Sequence, residues 1–411
     1  MSKKILALTF PRQDKNLGLE PSILTVVPRN EEVIYITDNN TETYDPEEIK
    51  YYLCSIYITG MEEFIRWSNN IDKRKIIVGG YEPTITPKDF INYSSKVIVG
   101  PCDSFYDTIA QPGKIVKGIT NYKNIPRYDI YDVKLNQQII PDKLPEDIVT
   151  SINTSQGCPF KCDFCCSPLM CDKLMSKPIK LVDEETKYLN KLSPKWIFIR
   201  DENFPLQKDW KEKLKLIFNN LNRRTKIYLF SSANFCTEEN VKYMKENGVY
   251  MICLGLEDIT ENYSKNKHLD DACHLLHKYG IYVYLSFIVD PLKVSNETNS
   301  KTFYKKLKER LLELSPEMIC GNFLMPFRGT KIWDKYKKYI TKEDFRLYNS
   351  KSAFLEKNLE IRKRTEYNMF KFQWDYYNSD FYNNNIRKFA TGDTLYLRFL
   401  ELKKQFNYGN R

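Results

Sequence analysis

Three cysteines in one short loop carry the most specific chemistry in the sequence. In SQGCPFKCDFCCSP, thiols stand at Cys158, Cys162 and Cys165, a CxxxCxxC spacing in a Gly- and Pro-containing segment directly after a predicted strand. Thiolates this close together are metal ligands. A four-iron cluster normally takes four cysteines, so a loop with three leaves one iron open to another ligand. Structural zinc is the competing reading. It needs a fourth ligand, which Cys166 or Cys171 could supply, yet no second two-cysteine knuckle follows later in the chain.

The remaining composition narrows the setting. Eleven cysteines, an odd number with one tight cluster, fit a reducing compartment and metal chemistry better than disulfides. Cys54, Cys236, Cys253, Cys273 and Cys320 lie in or beside predicted elements and read as small buried apolar residues. No apolar run approaches the ~20 residues that span a bilayer, and MSKKILALTF lacks the pattern of a signal peptide, so a cytoplasmic protein without membrane partners is expected. The net charge of +10 is spread along the chain, which reads as a solvated surface. His268, His274 and His277 fall on one predicted helix, and an ordinary helix surface explains them better than a metal site.

The elements that must position the loop follow an α/β rhythm. Residues 3 to about 120 alternate the runs KILALTF, EVIYITD, CSIYITG, KIIVGG, KVIVG and KIVKGI with helices expected to begin at Pro46, Met61 and Pro87. That pattern predicts a doubly wound, Rossmann-like domain over 1–121. Its ligand edge would include Gly79-Gly80, Gly100 and the loop from Pro11 to Gly18. A Pro- and Tyr-bearing connector spans 122–146. Six further strands, DIVTSINTS, WIFIR, KIYLFS, YMICLG, YVYLSFIV and MICGNFL, are spaced for crossover helices and predict a partial (β/α)6 barrel over 147–340. Residues 341–411 read as a helical, aromatic tail packed on that barrel.

The loop closely resembles the signature of the radical SAM superfamily, in which an aromatic residue precedes the third cysteine, as Phe164 does here. The resemblance implies that Cys158, Cys162 and Cys165 bind a 4Fe-4S cluster whose open iron chelates S-adenosylmethionine (SAM). An electron from an external low-potential donor such as flavodoxin or ferredoxin would cleave SAM to methionine and a 5′-deoxyadenosyl radical that abstracts hydrogen from a substrate. The same resemblance implies SAM contacts for Asp201 and Glu202 after the second barrel strand, for Glu257 after the fourth, and for Ser232 and Asn234 after the third. LMPFRGTKIWDKY resembles the segment that closes this barrel in many relatives.

A doubly wound domain ahead of such a barrel resembles the cobalamin-binding class of the superfamily. Two departures bear on it. Asp14-Lys15-Asn16-Leu17-Gly18 stands where some cobalamin domains carry a histidine, and Gly100-Pro101-Cys102-Asp103 where a Gly-Glu-Gly-Glu turn is usual. Cobalamin is therefore bound without a protein imidazole, or the domain is a scaffold. The first case implies methyl transfer to carbon, the second a radical isomerase or nucleobase-modifying enzyme. A reading from another class is a zinc-containing nucleic-acid-binding protein using the basic, aromatic tail. The substrate is not legible.

Overall fold

In β1 (Lys4–Phe10) the residues Ile5, Leu6, Ala7, Leu8 and Phe10 are all fully buried. A strand apolar on both faces must run inside a sheet that is covered on both sides. The computed structural model, which describes residues 3–10, 22–36, 44–131, 149–260 and 267–386, places it so. The strands β2 (Val33–Ile36), β3 (Ile49–Ile56), β4 (Ile76–Gly79), β5 (Lys96–Val99) and β6 (Ile115–Lys117) join β1 in the order β2-β1-β3-β4-β5-β6. Every pairing is parallel. Alternate residues feed two cores: Leu6, Leu8, Phe10, Cys54 and Val78 pack on one face, Ile5, Ala7, Leu53, Ile77 and Ile98 on the other. The strand order reverses between β1 and β3, which opens a crevice at the carboxyl edge of the sheet.

Two expected helices are corrected. From Pro46 the chain makes only a 3-10 turn, Pro46–Glu48, capped by Asp45, and IKYYL belongs to β3. Ile49 and Tyr51 to Leu53 pair with β1, with one register shift between Lys4 and Ile5, and a two-sided core outweighs the weak helical preference of that stretch. Pro87 likewise opens a 3-10 turn, Pro87–Phe90, while an unforeseen short helix, Tyr81–Ile85, follows β4. The helix from Met61 forms as Met61–Ser68. The loop from Pro11 to Gly18, most of the connector and the end of the tail lie outside the described residues.

After the connector come β7 (Val149–Ile152), the short pair β8 (Ser155–Gln156) and β9 (Met175–Ser176), then β10 (Trp196–Ile199), β11 (Lys226–Phe230), β12 (Val249–Glu257), β13 (Tyr282–Val289) and β14 (Met318–Phe323). Six of them form a second sheet in the order β14-β13-β12-β11-β10-β7. The antiparallel β8–β9 pair was not anticipated, since two-residue strands carry no periodic signal.

By internal contacts the chain divides into two units. The first comprises 1–202, 206–225 and 327–333, the second 203–205, 226–326 and 334–411. In the first, the connector is anchored on the helix Ile179–Asn190: Tyr128 stacks on Tyr188 and donates its hydroxyl to Glu185 at 2.5 Å. In the second, the helix Leu359–Tyr377 covers the edge strand β14. The Ile319 N–H donates to the Tyr377 hydroxyl and the Gly321 N–H to Gln373 Oε1, so edge groups that would invite another strand are satisfied by side chains. No described helix is long and apolar enough to cross a membrane.

Candidate functional site

The cysteine loop is an excursion closed at its stem. Ser155 pairs with Ser176 and Gln156 with Met175 across β8 and β9, so residues 157–174 leave and return at one point. The stem is held by a buried polar network. Asp201, fully buried just after β10, accepts hydrogen bonds from the Thr154 N–H (2.6 Å), the Thr154 and Ser155 hydroxyls (2.6 and 2.7 Å) and Gln207 Nε2 (2.8 Å). Lys213, equally buried, donates to Gln207 Oε1 at 2.6 Å, to Ser176 Oγ and to Asp209 at 3.2 Å. Burial pushes the Asp201 carboxyl up and the Lys213 ammonium down from their ordinary ranges, which the hydrogen bonds and opposite charges counter.

Asp201 therefore spends both oxygens on the loop stem, and its neighbour Glu202 takes the outward role. Glu202 lines a cavity beside the loop and accepts from the Gly157 backbone, with its carboxyl pushed up by burial and by Asp201. Sequence reasoning missed Gln207 and Lys213. A signal existed: Lys213 lies on the buried stripe of the helix Trp210–Asn220 with Trp210, Leu214 and Ile217, where a lysine needs a partner.

Cys158, Cys162 and Cys165 are half-buried in the loop, and the Cys165 N–H donates to the Cys162 carbonyl at 3.0 Å. Burial raises the Cys158 thiol, and the nearby Cys165 and Cys162 raise it further. Among the described residues no three His, Cys, Asp or Glu side chains group as a single-ion site. The CxxxCxxC spacing supplies three thiolates, the number that leaves one iron of a four-iron cluster open. Phe164 is half-buried in the same loop. Cys166 is turned toward Tyr81, and burial pushes its thiol up to about 11, so it behaves as a packed neutral group. Cys171 donates its thiol to the Lys173 carbonyl at 2.9 Å. Gly157 sits at φ +88°, where an added Cβ would lie 2.3 Å from the Lys173 carbonyl oxygen; only glycine closes the loop this tightly.

The segment after β14 also bears on this loop. The Ile332 N–H donates to the Asp163 carbonyl at 3.1 Å, and Arg328 pairs with Asp89 at 2.8 Å and with fully buried Glu82. Sequence resemblance had singled out that segment without its partners.

The cavity, about 280 Å³, joins the loop to the carboxyl edge of the first sheet. Ser55, Gly79, Gly80, Gly100 and Cys102 form one wall, and Gln156, Gly157, Met170, Cys171 and Glu202 the other. Gln156 Oε1 is buried with no partner, an acceptor awaiting a donor. Gly80, at φ +94°, has no room for a Cβ, which would meet Ser55 Oγ at 2.8 Å and the Ile56 backbone N at 3.0 Å.

The other candidate residues lie in the second unit. Ser232 donates its N–H to Asn203 Oδ1 at 3.3 Å and accepts from Asn203 Nδ2 at 2.7 Å. Asn234 is exposed on the 3-10 turn Ala233–Phe235. Glu257, buried at the end of β12, adopts φ +60° beyond a register shift against β13 at Gly255. The register shift takes Glu257 out of the strand's regular alternation of side chains.

The site combines a parallel α/β architecture with a three-cysteine loop beyond a strand end. Residues 152–302 match the model of the Radical SAM superfamily. The chain is 23% identical over 313 residues to bacteriochlorophyllide d C-8(2)-methyltransferase of Chlorobaculum tepidum, covering 67% of this chain and 66% of that protein. Among solved structures, TsrM, a radical SAM methyltransferase from Kitasatospora setae with tryptophan and a SAM analogue bound, superposes with TM-score 0.60 at 13% identity over 82% of this chain and 76% of that one. The cobalamin-dependent radical enzyme OxsB with aqua-cobalamin and SAM bound gives TM-score 0.59 at 12% identity, over 99% of this chain and 72% of that one. The chain spans about two thirds or less of the length of the curated relatives it matches, 66%, 45% and 66%.

Proposed function

We propose that this radical SAM enzyme is a cobalamin-dependent methyltransferase acting on a carbon centre, with Cys158, Cys162 and Cys165 as cluster ligands. The observation that carries the reading is the cavity shared by the glycine-lined edge of the first sheet and the cysteine loop, where Gln156 Oε1 is buried without a partner. Gly79, Gly80 and Gly100 let a flat ligand approach the backbone, and the corrin amides would supply the donor that Gln156 lacks. When bound, the cluster supplies the electron that cleaves SAM, and cobalamin carries the methyl group. All three histidines fall at 268, 274 and 277, so no imidazole of the first domain ligates cobalt. The methyltransferase names of the relatives support the same reading.

Within the site, Glu202 supplies a carboxylate suited to the methionine ammonium of SAM. Asp201, Gln207 and Lys213 hold the loop stem in place. Glu257, Ser232 and Asn234 are proposed to hold the rest of SAM, with Asn203 orienting Ser232. Electrons would come from a low-potential donor protein.

The test is anaerobic iron–sulfide reconstitution with added hydroxocobalamin, followed by gel filtration and metal analysis. Stoichiometric retention of cobalt with iron, with 5′-deoxyadenosine and S-adenosylhomocysteine formed on reduction, is expected. Iron without cobalt would remove the methyl-transfer reading and leave a radical enzyme without cobalamin.

A further inference from the structure

Five residues are too few to sustain a helix by themselves, so Tyr81–Ile85, which follows Gly80 at the edge of the first sheet, is held by its contacts. One of them organises the edge. The buried Thr84 hydroxyl donates to the Gly80 carbonyl at 2.7 Å and accepts from the Gly100 N–H at 3.0 Å, which ties the turn after β4 to the turn after β5.

The same helix meets residues 327–333, a segment that follows β14 yet belongs by its contacts to the first unit. Tyr81 packs edge-on against Phe327, with ring centroids 5.5 Å apart. Arg328 pairs with fully buried Glu82 and, at 2.8 Å, with Asp89. A Cβ added to Gly329 would lie 3.1 Å from Leu169 of the cysteine loop and 3.5 Å from Ile85, so this backbone is seated between loop and helix. The Ile332 N–H then reaches the Asp163 carbonyl inside the CxxxCxxC run at 3.1 Å. Buried Thr330 folds the segment on itself: its hydroxyl donates to the Phe327 carbonyl at 2.6 Å and accepts from the Trp333 N–H at 3.2 Å.

Burial decides which of these contacts matters. Lys331 also pairs with Asp163 at 2.8 Å, but the two side chains are 75% and 56% exposed, so that pair is screened and weak. Glu82 is shut off from solvent. Its Oε1 takes Arg328 and the Thr86 hydroxyl at 3.4 Å, while Oε2 meets no hydrogen-bond partner among the described residues. Burial pushes this carboxyl up and the Arg328 guanidinium draws it back. Without the guanidinium, an uncompensated charge would stand in the interior and would have to take up a proton or draw in water. The helix that carries Glu82 also holds both glycine turns through Thr84, so a disturbance at Arg328 reaches the glycine edge.

We infer that Arg328 is a positioning residue: bonded to Glu82 and Asp89 on one side and continuous with Gly329 and Ile332 on the other, it keeps the glycine edge and the cysteine loop at one fixed separation. Groups carried on two walls of a cavity react only near contact distance, and a misplacement of about 1 Å can cost about 10²-fold in rate. The inference rests on the cobalamin reading for naming what the edge carries; the fixed separation stands without it.

The test uses the full-length protein in two states. In the iron-free, cobalamin-free state, Arg328→Met is expected to raise amide hydrogen exchange at least about tenfold across both 81–90 and 157–174. Arg328→Lys, which keeps the charge but loses the two-pronged geometry, should recover part of that protection. After reconstitution with iron, sulfide and hydroxocobalamin, Arg328→Met should hold normal iron and cobalt. The magnetic interaction between cob(II)alamin and the reduced cluster, read by electron paramagnetic resonance, should weaken or broaden in it, a change that lowered stability alone does not produce. Glu82→Gln should act in the same direction, and the double variant should show no more than Arg328→Met alone, because the two residues act as one unit. The double variant removes the buried charge with its partner, and it stands in for Arg328→Met should that protein fail to fold. Unchanged exchange in the loop, an unchanged magnetic interaction at full metal content, or effects of the two substitutions that simply add overturns the assignment. If the unaltered protein retains no cobalt, the cobalamin reading fails and the exchange experiment alone decides the role of Arg328.

Discussion

The carboxyl edge of the first sheet and the cysteine loop line the same cavity by opposite means. The edge offers glycines and backbone: Gly79, Gly80 and Gly100 with Ser55 and Cys102. The loop side offers acceptors, Glu202 and Gln156 beside Gly157, Met170 and Cys171, on a stem held by wholly buried Asp201 and Lys213, and the same loop carries the three thiols. Contact by shape tolerates a varied sequence as long as nothing protrudes. Contact through directed polar atoms demands those atoms in place, and the buried network is what holds the stem that carries them.

The sharpest way to break this contrast is to remove the three thiols. Replacing Cys158, Cys162 and Cys165 together by Ala should eliminate nearly all reconstituted iron and its visible absorption. Thermal stability of the iron-free protein should change by less than about 1 kcal/mol, because these thiols are only half-buried. Loss of the apo fold would instead show that the thiols hold the loop themselves.

Next in size is the stem. Asp201→Ala strips the acceptor from four donors and leaves Lys213 without its buried counter-charge through Gln207, so urea unfolding of the iron-free protein should show a loss of about 3–5 kcal/mol. Hydrogen exchange should then rise across 154–176. A loss under about 1 kcal/mol would mean that the network is dispensable.

Gly80→Val tests the edge. It forces a branched side chain into φ +94° against Ser55 and Ile56, for about 1–3 kcal/mol, and should weaken cobalamin retention while iron content stays normal. Parallel loss of both metals would erase the division of labour between edge and loop.

The smallest effect is electrostatic and belongs to neither region. The Arg310 guanidinium, hydrogen-bonded to Asp270 in the second unit, holds that carboxyl below its ordinary range. A lowered folded value means that the pair stabilises the protein above the usual carboxylate range and loses that contribution as pH falls through the folded value. Arg310→Gln should flatten this acid limb and cost under about 1 kcal/mol at neutral pH, since the Asp270 side chain is 61% exposed. A larger loss in urea titrations at several pH values would contradict the assignment to a solvent-screened pair.

Much of the molecule was determined by local pattern alone. The CxxxCxxC spacing, the strand runs and the glycines after β4 and β5 are all written in short windows of sequence, because thiol ligation, two-sided strand burial and positive φ are demands on single residues or on period-two runs. Tertiary structure decided the rest. It turned IKYYL from a helix into β3, because pairing with β1 and a core on each face outweigh propensity. It divided the adjacent acids, sending Asp201 into the stem and Glu202 to the cavity, since alternate side chains leave a strand end on opposite sides. It brought Lys213 under the loop and Arg328 onto Glu82, contacts between residues far apart in sequence that no local window contains.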